Sequence, residues 1–191
     1  TLPGYSVRHM KVNTQDSLNL ISKSTFSRAF NASRVFRSYL TSRFLGRASL
    51  SGMPISISVE PTTSCNLRCP ECPSGLRSFT RPTGMLDQSL FRSVIDQLAP
   101  TLSYLTFYFQ GEPFLNPQFL DMVKYASQKG IYTATSTNAH FLNSDTAFAT
   151  VKSSLDRLII SIDGTTQSAY QSYRVGGSLE KVVEGARNII R

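Results

Sequence analysis

The chain has 191 residues, 40% of them hydrophobic and 10% aromatic, which suffices for a buried core and excludes a disordered segment. No apolar run approaches the roughly 20 residues of a membrane helix, and three cysteines are too few, and odd in number, for a disulfide framework. The formal charge of +8 sits at one end, since residues 1–50 carry eight Lys or Arg against the single acid Asp16 and the remaining charges nearly cancel.

Two regions are predicted, a basic helical arm with a linker over 1–54 and an α/β unit over 55–191. The sequence opens on Thr1, without an initiating Met or the apolar core of a secretory signal, so an internal piece of a longer cytoplasmic chain is expected. In the arm, one helix is predicted over about Asn31 to Leu45, with Asn31 or Ser33 as N-cap and Gly46 as its stop. Val35, Phe36, Tyr39, Leu40 and Phe44 recur at helical spacing, interleaved with Arg34, Arg37 and Arg43. That pattern predicts an apolar stripe packed on the neighbouring domain with its arginines in solvent. The alternative is a cationic amphipathic helix docked on a membrane surface, an acidic partner or a nucleic acid.

From Ile55 the pattern alternates strand and helix. Ile55, Ile57 and Val59 alternate with Ser56, Ser58 and Glu60, the two-residue period of a strand. A helix over about 87–98 follows, capped by Asp87 and stopped before Pro100. Strands are then predicted over 103–109, 131–136 and 155–162, alternating with helices over 117–129, 144–153 and 178–191. Four consecutive βα units imply a parallel sheet with helices outside, by the right-handed crossover rule.

Every cysteine lies in one stretch, CNLRCPEC, as Cys65, Cys69 and Cys72. Three thiolates on one tight loop can hold three irons of a [4Fe-4S] cubane and leave the fourth iron open, whereas a structural zinc normally closes with four protein ligands. Zinc would have to recruit His9, His140 or a carboxylate, and neither histidine lies at a finger-like distance. Both histidines read as structural. Three unligated core cysteines fit poorly with a loop that holds Asn66, Arg68, Glu71 and two prolines.

The cysteine loop directly after a strand is followed in order by QGEP (Gln110 to Pro113), STNA (Ser136 to Ala139), SIDG (Ser161 to Gly164) and Arg174. This series resembles the radical S-adenosylmethionine (radical SAM) family, most closely its members with a cysteine-rich SPASM extension, which this sequence lacks. The resemblance implies a partial (β/α) barrel, commonly of six units and here truncated after four, with the site at the C-terminal ends of the strands. It implies that Cys65, Cys69 and Cys72 ligate a [4Fe-4S] cluster whose open iron takes the amino and carboxylate groups of SAM. An electron from the cluster would then cleave SAM, and the resulting 5'-deoxyadenosyl radical would abstract a substrate hydrogen.

By the same resemblance Gly111, Glu112 and Pro113 line the SAM methionine, Ser136 and Ser161 meet the ribose or the methionine carboxylate, Asp163 accepts from ribose hydroxyls, and Arg174 pairs with the SAM carboxylate. Read as ordinary turn and cap residues, the same side chains need no ligand, and Arg174 would be a solvated surface arginine. Three positions depart from the family pattern: Glu71 where an aromatic is common, Gln110 in place of the first Gly of GGEP, and Ala139 in place of Gly. The expected partners are SAM, a peptide, protein or small-molecule substrate, and a flavodoxin- or ferredoxin-type electron donor; a nucleic acid is not expected. A radical SAM enzyme for a small metabolite, cofactor or lipid precursor is one alternative function. A zinc-holding interaction domain with a basic partner-binding arm is the other.

Overall fold

Strands β1 (Ser56–Ser58), β2 (Tyr104–Thr106), β3 (Tyr132–Thr137) and β4 (Arg157–Ile160) form one parallel sheet in the order β1-β2-β3-β4. The structure is a computed structural model that describes residues 14–190, so His9 lies outside the described residues. Neighbouring parallel strands need a crossover, and helices supply each one: α4 (Gln88–Leu98), α5 (Phe119–Gln128) and α6 (Ser144–Lys152). Helices α7 (Gln167–Tyr173) and α8 (Leu179–Ile190) follow β4.

The register places Ile57 opposite Leu105 and Leu105 opposite Thr133. Leu105 and Phe107 are fully buried with Phe91 and Ile95 of α4 and Phe119, Met122 and Val123 of α5. Burying such side chains is worth about 1.5–3 kcal/mol each, and this cluster is what holds the helices to the sheet. Helix starts follow the sequence rule: the Asp87 carboxylate accepts from the N–H groups of Ser89 at 2.9 Å and Leu90 at 3.0 Å. Asn143 caps α6 through the Thr146 N–H at 2.8 Å.

Strand β2 is shorter than expected because the chain leaves the sheet after Phe107, whose N–H still donates to the Ala134 carbonyl, and turns into the loop of Gln110. Three helices were not anticipated: α1 (Thr14–Ser22), the one-turn α3 (Pro73–Leu76) and α7. In α7 only Tyr170 is buried, so no apolar period betrays it.

The arm departs most from expectation. Helix α2 runs over Phe26–Leu45, starting at an N-cap Thr25 rather than at Asn31 or Ser33, and ends as predicted on Gly46 at φ 63°. Its orientation follows the prediction only in part: Arg34, Arg37 and Arg43 are exposed as expected and Val35 and Leu40 are half-buried, but the rest of the predicted stripe faces out. Arg28, Asn31 and Ser38 are buried, while Phe26, Phe30, Phe36, Tyr39 and Phe44 are exposed. Arg28 explains this. Its Nη1 donates to the carbonyls of Lys23 (2.7 Å) and Gly130 (2.5 Å), and its Nη2 to those of Ala99 (3.0 Å) and Lys129 (2.9 Å). Ala99 and Lys129 end α4 and α5, where unpaired carbonyls and the negative end of the helix dipole favour a cation. Asn31 exchanges two hydrogen bonds with the backbone of Met53, at 2.9 and 2.8 Å. Lys23 pairs with Asp156 at 2.5 Å just before β4. The arm therefore sits against the N-terminal ends of the strands.

Candidate active site

The opposite, C-terminal ends of the strands meet the cysteine loop and most of the predicted site residues. Cys65, Cys69 and Cys72 line one cavity of about 160 Å³ together with Gly111, Glu112, Ser136, Ser161 and Arg174. Of the site residues predicted from sequence, Pro113 and Asp163 are not in its wall. Pro113 is buried as the first residue of a 3-10 turn (Pro113–Leu115), and Asp163 acts on the cavity through Arg174, whose Nε donates to its Oδ2 at 2.5 Å.

Local backbone geometry explains the loop after β2. Gly111 has φ 80°, and a Cβ there would run into the Thr62 carbonyl oxygen, so the position accepts only glycine. Its N–H donates to Ser74 Oγ at 2.9 Å and the Glu112 N–H donates to the Ser64 carbonyl at 2.8 Å, which ties this loop to both flanks of the cysteine stretch.

Each thiol has its own side-chain neighbour from a different βα unit. Asn138 Nδ2, after β3, lies 3.9 Å from Cys65 Sγ and donates to Asn66 Oδ1 at 2.7 Å. Arg174 Nη1, after β4, lies 3.8 Å from Cys69 Sγ. Gln110 Oε1, after β2, lies 3.3 Å from Cys72 Sγ and accepts from Ser74 Oγ at 3.0 Å. Burial is the main cause that raises the Cys65 thiol pKa; the Leu67 N–H opposes it, and the Glu112 charge adds to it. A buried thiol that resists ionisation alone ionises readily when a cation takes it as a ligand.

Glu112 is 2% exposed. Its Oε1 accepts from the Thr137 hydroxyl at 2.7 Å and its Oε2 from the Asn138 N–H at 2.8 Å. Burial pushes its carboxyl pKa up, and the bonds from Asn138 and Thr137 counteract that. Ser136 Oγ and Ser161 Oγ face each other at 3.2 Å, so two hydroxyls from adjacent strands form one polar spot on the wall. His140 serves a structural bridge: its Nε2 accepts from the Ser178 N–H at 2.9 Å at the start of α8, and its Nδ1 lies 3.0 Å from the Asn138 carbonyl oxygen.

Sequence reasoning missed Asn138 and Ser74 as site residues. Asn138 was visible as the third residue of STNA; Ser74 carries no signal beyond following the cysteines. Among the described residues, no three His, Cys, Asp or Glu side chains converge as a single metal ion would require. A zinc closed by four protein ligands has no counterpart there. The donor set of three thiols on one wall, with N–H donors beside Cys65 and Cys69, fits a cluster that offers a separate iron to each cysteine.

The chain belongs to the Radical SAM superfamily, whose profile matches residues 59–191. It is 30% identical over 136 residues to the mycofactocin maturase MftC of Mycobacterium ulcerans, a match covering 71% of this chain and 36% of that protein. It is also 30% identical over 131 residues to the PqqA peptide cyclase of Rhodopseudomonas palustris (68% and 34%), and 25% identical over 138 residues to the AdoMet-dependent heme synthase of Methanosarcina barkeri (72% and 39%). The chain thus spans little more than a third of the length of these curated relatives. In fold it resembles Streptococcus suis SuiB bound to its precursor peptide SuiA, at a TM-score of 0.62 and 14% identity over 80% of this chain and 33% of that one. It also resembles BtrN in complex with AdoMet and 2-DOIA, at a TM-score of 0.55 and 19% identity over 71% and 56%. These likenesses establish the parallel α/β fold of a partial barrel, and the curated relatives are enzymes.

Proposed function

We propose that residues 55–191 form the cluster- and SAM-binding part of a cytoplasmic radical SAM enzyme that acts on a peptide or protein, with residues 1–54 as an arm outside the catalytic unit. The observation that carries the reading is the convergence of Cys65, Cys69 and Cys72 with the ends of β2, β3 and β4 on one cavity. A peptide substrate is supported by the identity to a mycofactocin maturase and a PqqA peptide cyclase.

In this reading Cys65, Cys69 and Cys72 would hold a [4Fe-4S] cluster, and the cavity they line would take SAM. With an electron from an external low-potential donor, the two groups would supply reductive cleavage of SAM and abstraction of a substrate hydrogen. The protein holds them in place. Asn138 and Arg174 offer N–H groups to Cys65 and Cys69, which favours the thiolate form that a metal requires. Ser136 and Ser161 present hydroxyls able to meet ribose or carboxylate oxygens, and Arg174, steadied by Asp163, places a cation at the edge of the cavity. Glu112 holds the β3 end in position, and its carboxylate would supply negative charge to an ammonium bound in the cavity it lines.

Anaerobic reconstitution of the full-length protein tests the assignment. About four irons per chain, a broad visible band and dithionite-dependent 5'-deoxyadenosine are expected, with all three lost in Cys69→Ala. A colourless protein holding stoichiometric zinc overturns it. Mass spectrometry of candidate peptides after turnover separates a peptide substrate from a small molecule.

A further inference from the structure

Helix α2 buries the polar side chains Arg28, Asn31 and Ser38 and leaves four phenylalanines exposed. The buried bonds of Arg28, Asn31 and Ser38 fix its rotation, so the outward stripe is a consequence of how the helix is anchored. That stripe holds Phe26 (88% exposed), Phe30, Phe36 and Phe44 (80% exposed), and the rings of Phe26 and Phe30 stack at 6.3 Å. Arg34, Arg37, Arg43 and Arg47 are exposed beside them. Among the described residues none of these four guanidiniums enters an ion pair. The sequence has no acid between Asp16 and Glu60, so the face carries positive charge without a neighbouring acid in sequence from Arg34 to Arg47.

We propose that this face lies on a bilayer containing anionic phospholipid, with the phenylalanine rings at the acyl-chain boundary and the arginines at the phosphates. A 20-residue helix is about 30 Å long, and a bilayer supplies apolar depth and negative charge along all of it without needing a register. A shallow cleft bounded by Phe30, Ser33, Arg34 and Arg37 sets a hydroxyl and two guanidiniums beside an aromatic ring, the chemistry of a phosphate above an acyl chain. A second copy of the chain fits poorly, because it would oppose arginines to arginines with no acid between them. An acidic protein would have to match the charges and the aromatic ridge in one register. The arm packs at the N-terminal ends of the strands, so docking leaves the cavity at their C-terminal ends open.

Flotation of the full-length protein with vesicles tests this independently of any cluster or SAM chemistry. Binding is expected to vesicles of phosphatidylcholine mixed with phosphatidylglycerol, not to phosphatidylcholine alone, with release in 1 M salt, where the Debye length is about 3 Å. Arg34→Gln and Arg37→Gln should each weaken partitioning about fivefold, and the pair Phe26→Ser and Phe44→Ser should abolish it with an unchanged melting curve. If the phenylalanine pair does not fold, the arginine variants carry the test alone. Equal binding to both vesicle types, or none, overturns the proposal. So does a concentration-dependent dimer that the phenylalanine pair disrupts.

Discussion

The carboxylate of Glu112 receives the backbone N–H of Asn138 at 2.8 Å, a bond that joins the end of β2 to the end of β3 and thereby aims Asn138 at Cys65. Both partners are nearly inaccessible to water. Removing the carboxylate leaves this N–H and the Thr137 hydroxyl without their acceptor, and an orphaned buried donor costs about 1–3 kcal/mol. Glu112→Ala is therefore expected to lose about 2–4 kcal/mol in urea unfolding of the cluster-free protein. Glu112→Gln, which keeps one acceptor oxygen, should lose less. Equal stability of Glu112→Ala and the parent would show that the bond does not hold the loops.

Arg28 is expected to be the most sensitive position of the arm. Burial lowers its pKa, yet its guanidinium serves the carbonyls of Lys23, Ala99, Lys129 and Gly130. Arg28→Met keeps much of the side-chain volume and removes every one of those bonds, so a loss of about 2–4 kcal/mol should appear in the same unfolding measurement. Arg34→Met, on the solvent side of the same helix, should change stability by less than about 0.5 kcal/mol.

His140 predicts a pH dependence. Burial is the chief cause that lowers its pKa below the ordinary 6.5, with the Asn138 backbone bond opposing and the charges of Lys181 and Arg174 adding to the depression. The neutral ring accepts from the Ser178 N–H, and protonation would set donor against donor. A depressed folded pKa means that the unfolded chain takes the proton first, so this contribution is whole above about pH 6.5 and is lost as pH falls from there through the folded pKa. Melting curves from pH 7.5 to 5 should show a downward trend, and the trend should be shallower in His140→Gln. Parallel profiles would remove His140 as the cause.

The N–H groups beside Cys65 and Cys69 predict an electronic effect in the reconstituted protein. Donors and cations near thiolates favour the more negative, reduced cluster, so Asn138→Ala and Arg174→Gln should each lower its reduction potential. A shift on the order of 50 mV corresponds to about 1 kcal/mol for one electron. Redox titration followed by electron paramagnetic resonance reads this directly. Unchanged potentials would confine both residues to a structural role.

Much of the βα region was legible because its signals are local. Asp87 caps α4 where the sequence placed the cap, Gly130 follows α5 at φ 70°, and the alternation around Ile57 marks β1. The site was legible in part: the cysteines and the strand-end residues Gly111, Glu112, Ser136, Ser161 and Arg174 share one cavity. Ser74 was not, since its hydroxyl matters only after folding brings Gln110 and Gly111 to it, 36 and 37 residues on.

The arm shows the limit most clearly. Periodicity located the helix and Gly46 its end, and Arg34, Arg37 and Arg43 are exposed as expected, yet Phe36, Tyr39 and Phe44 are exposed as well, because Arg28, Asn31 and Ser38 take the buried side. The sequence by itself determined the parallel order of strands and helices, since crossovers and caps follow from residues a few positions apart, and it determined the spacing of the three thiols. Tertiary structure alone decided which side of α2 is buried, what Glu112 holds and which side chain attends each sulfur. Those outcomes depend on buried polar groups finding partners that include ones 22, 25 and more than 100 residues away, and no local period records where such partners lie.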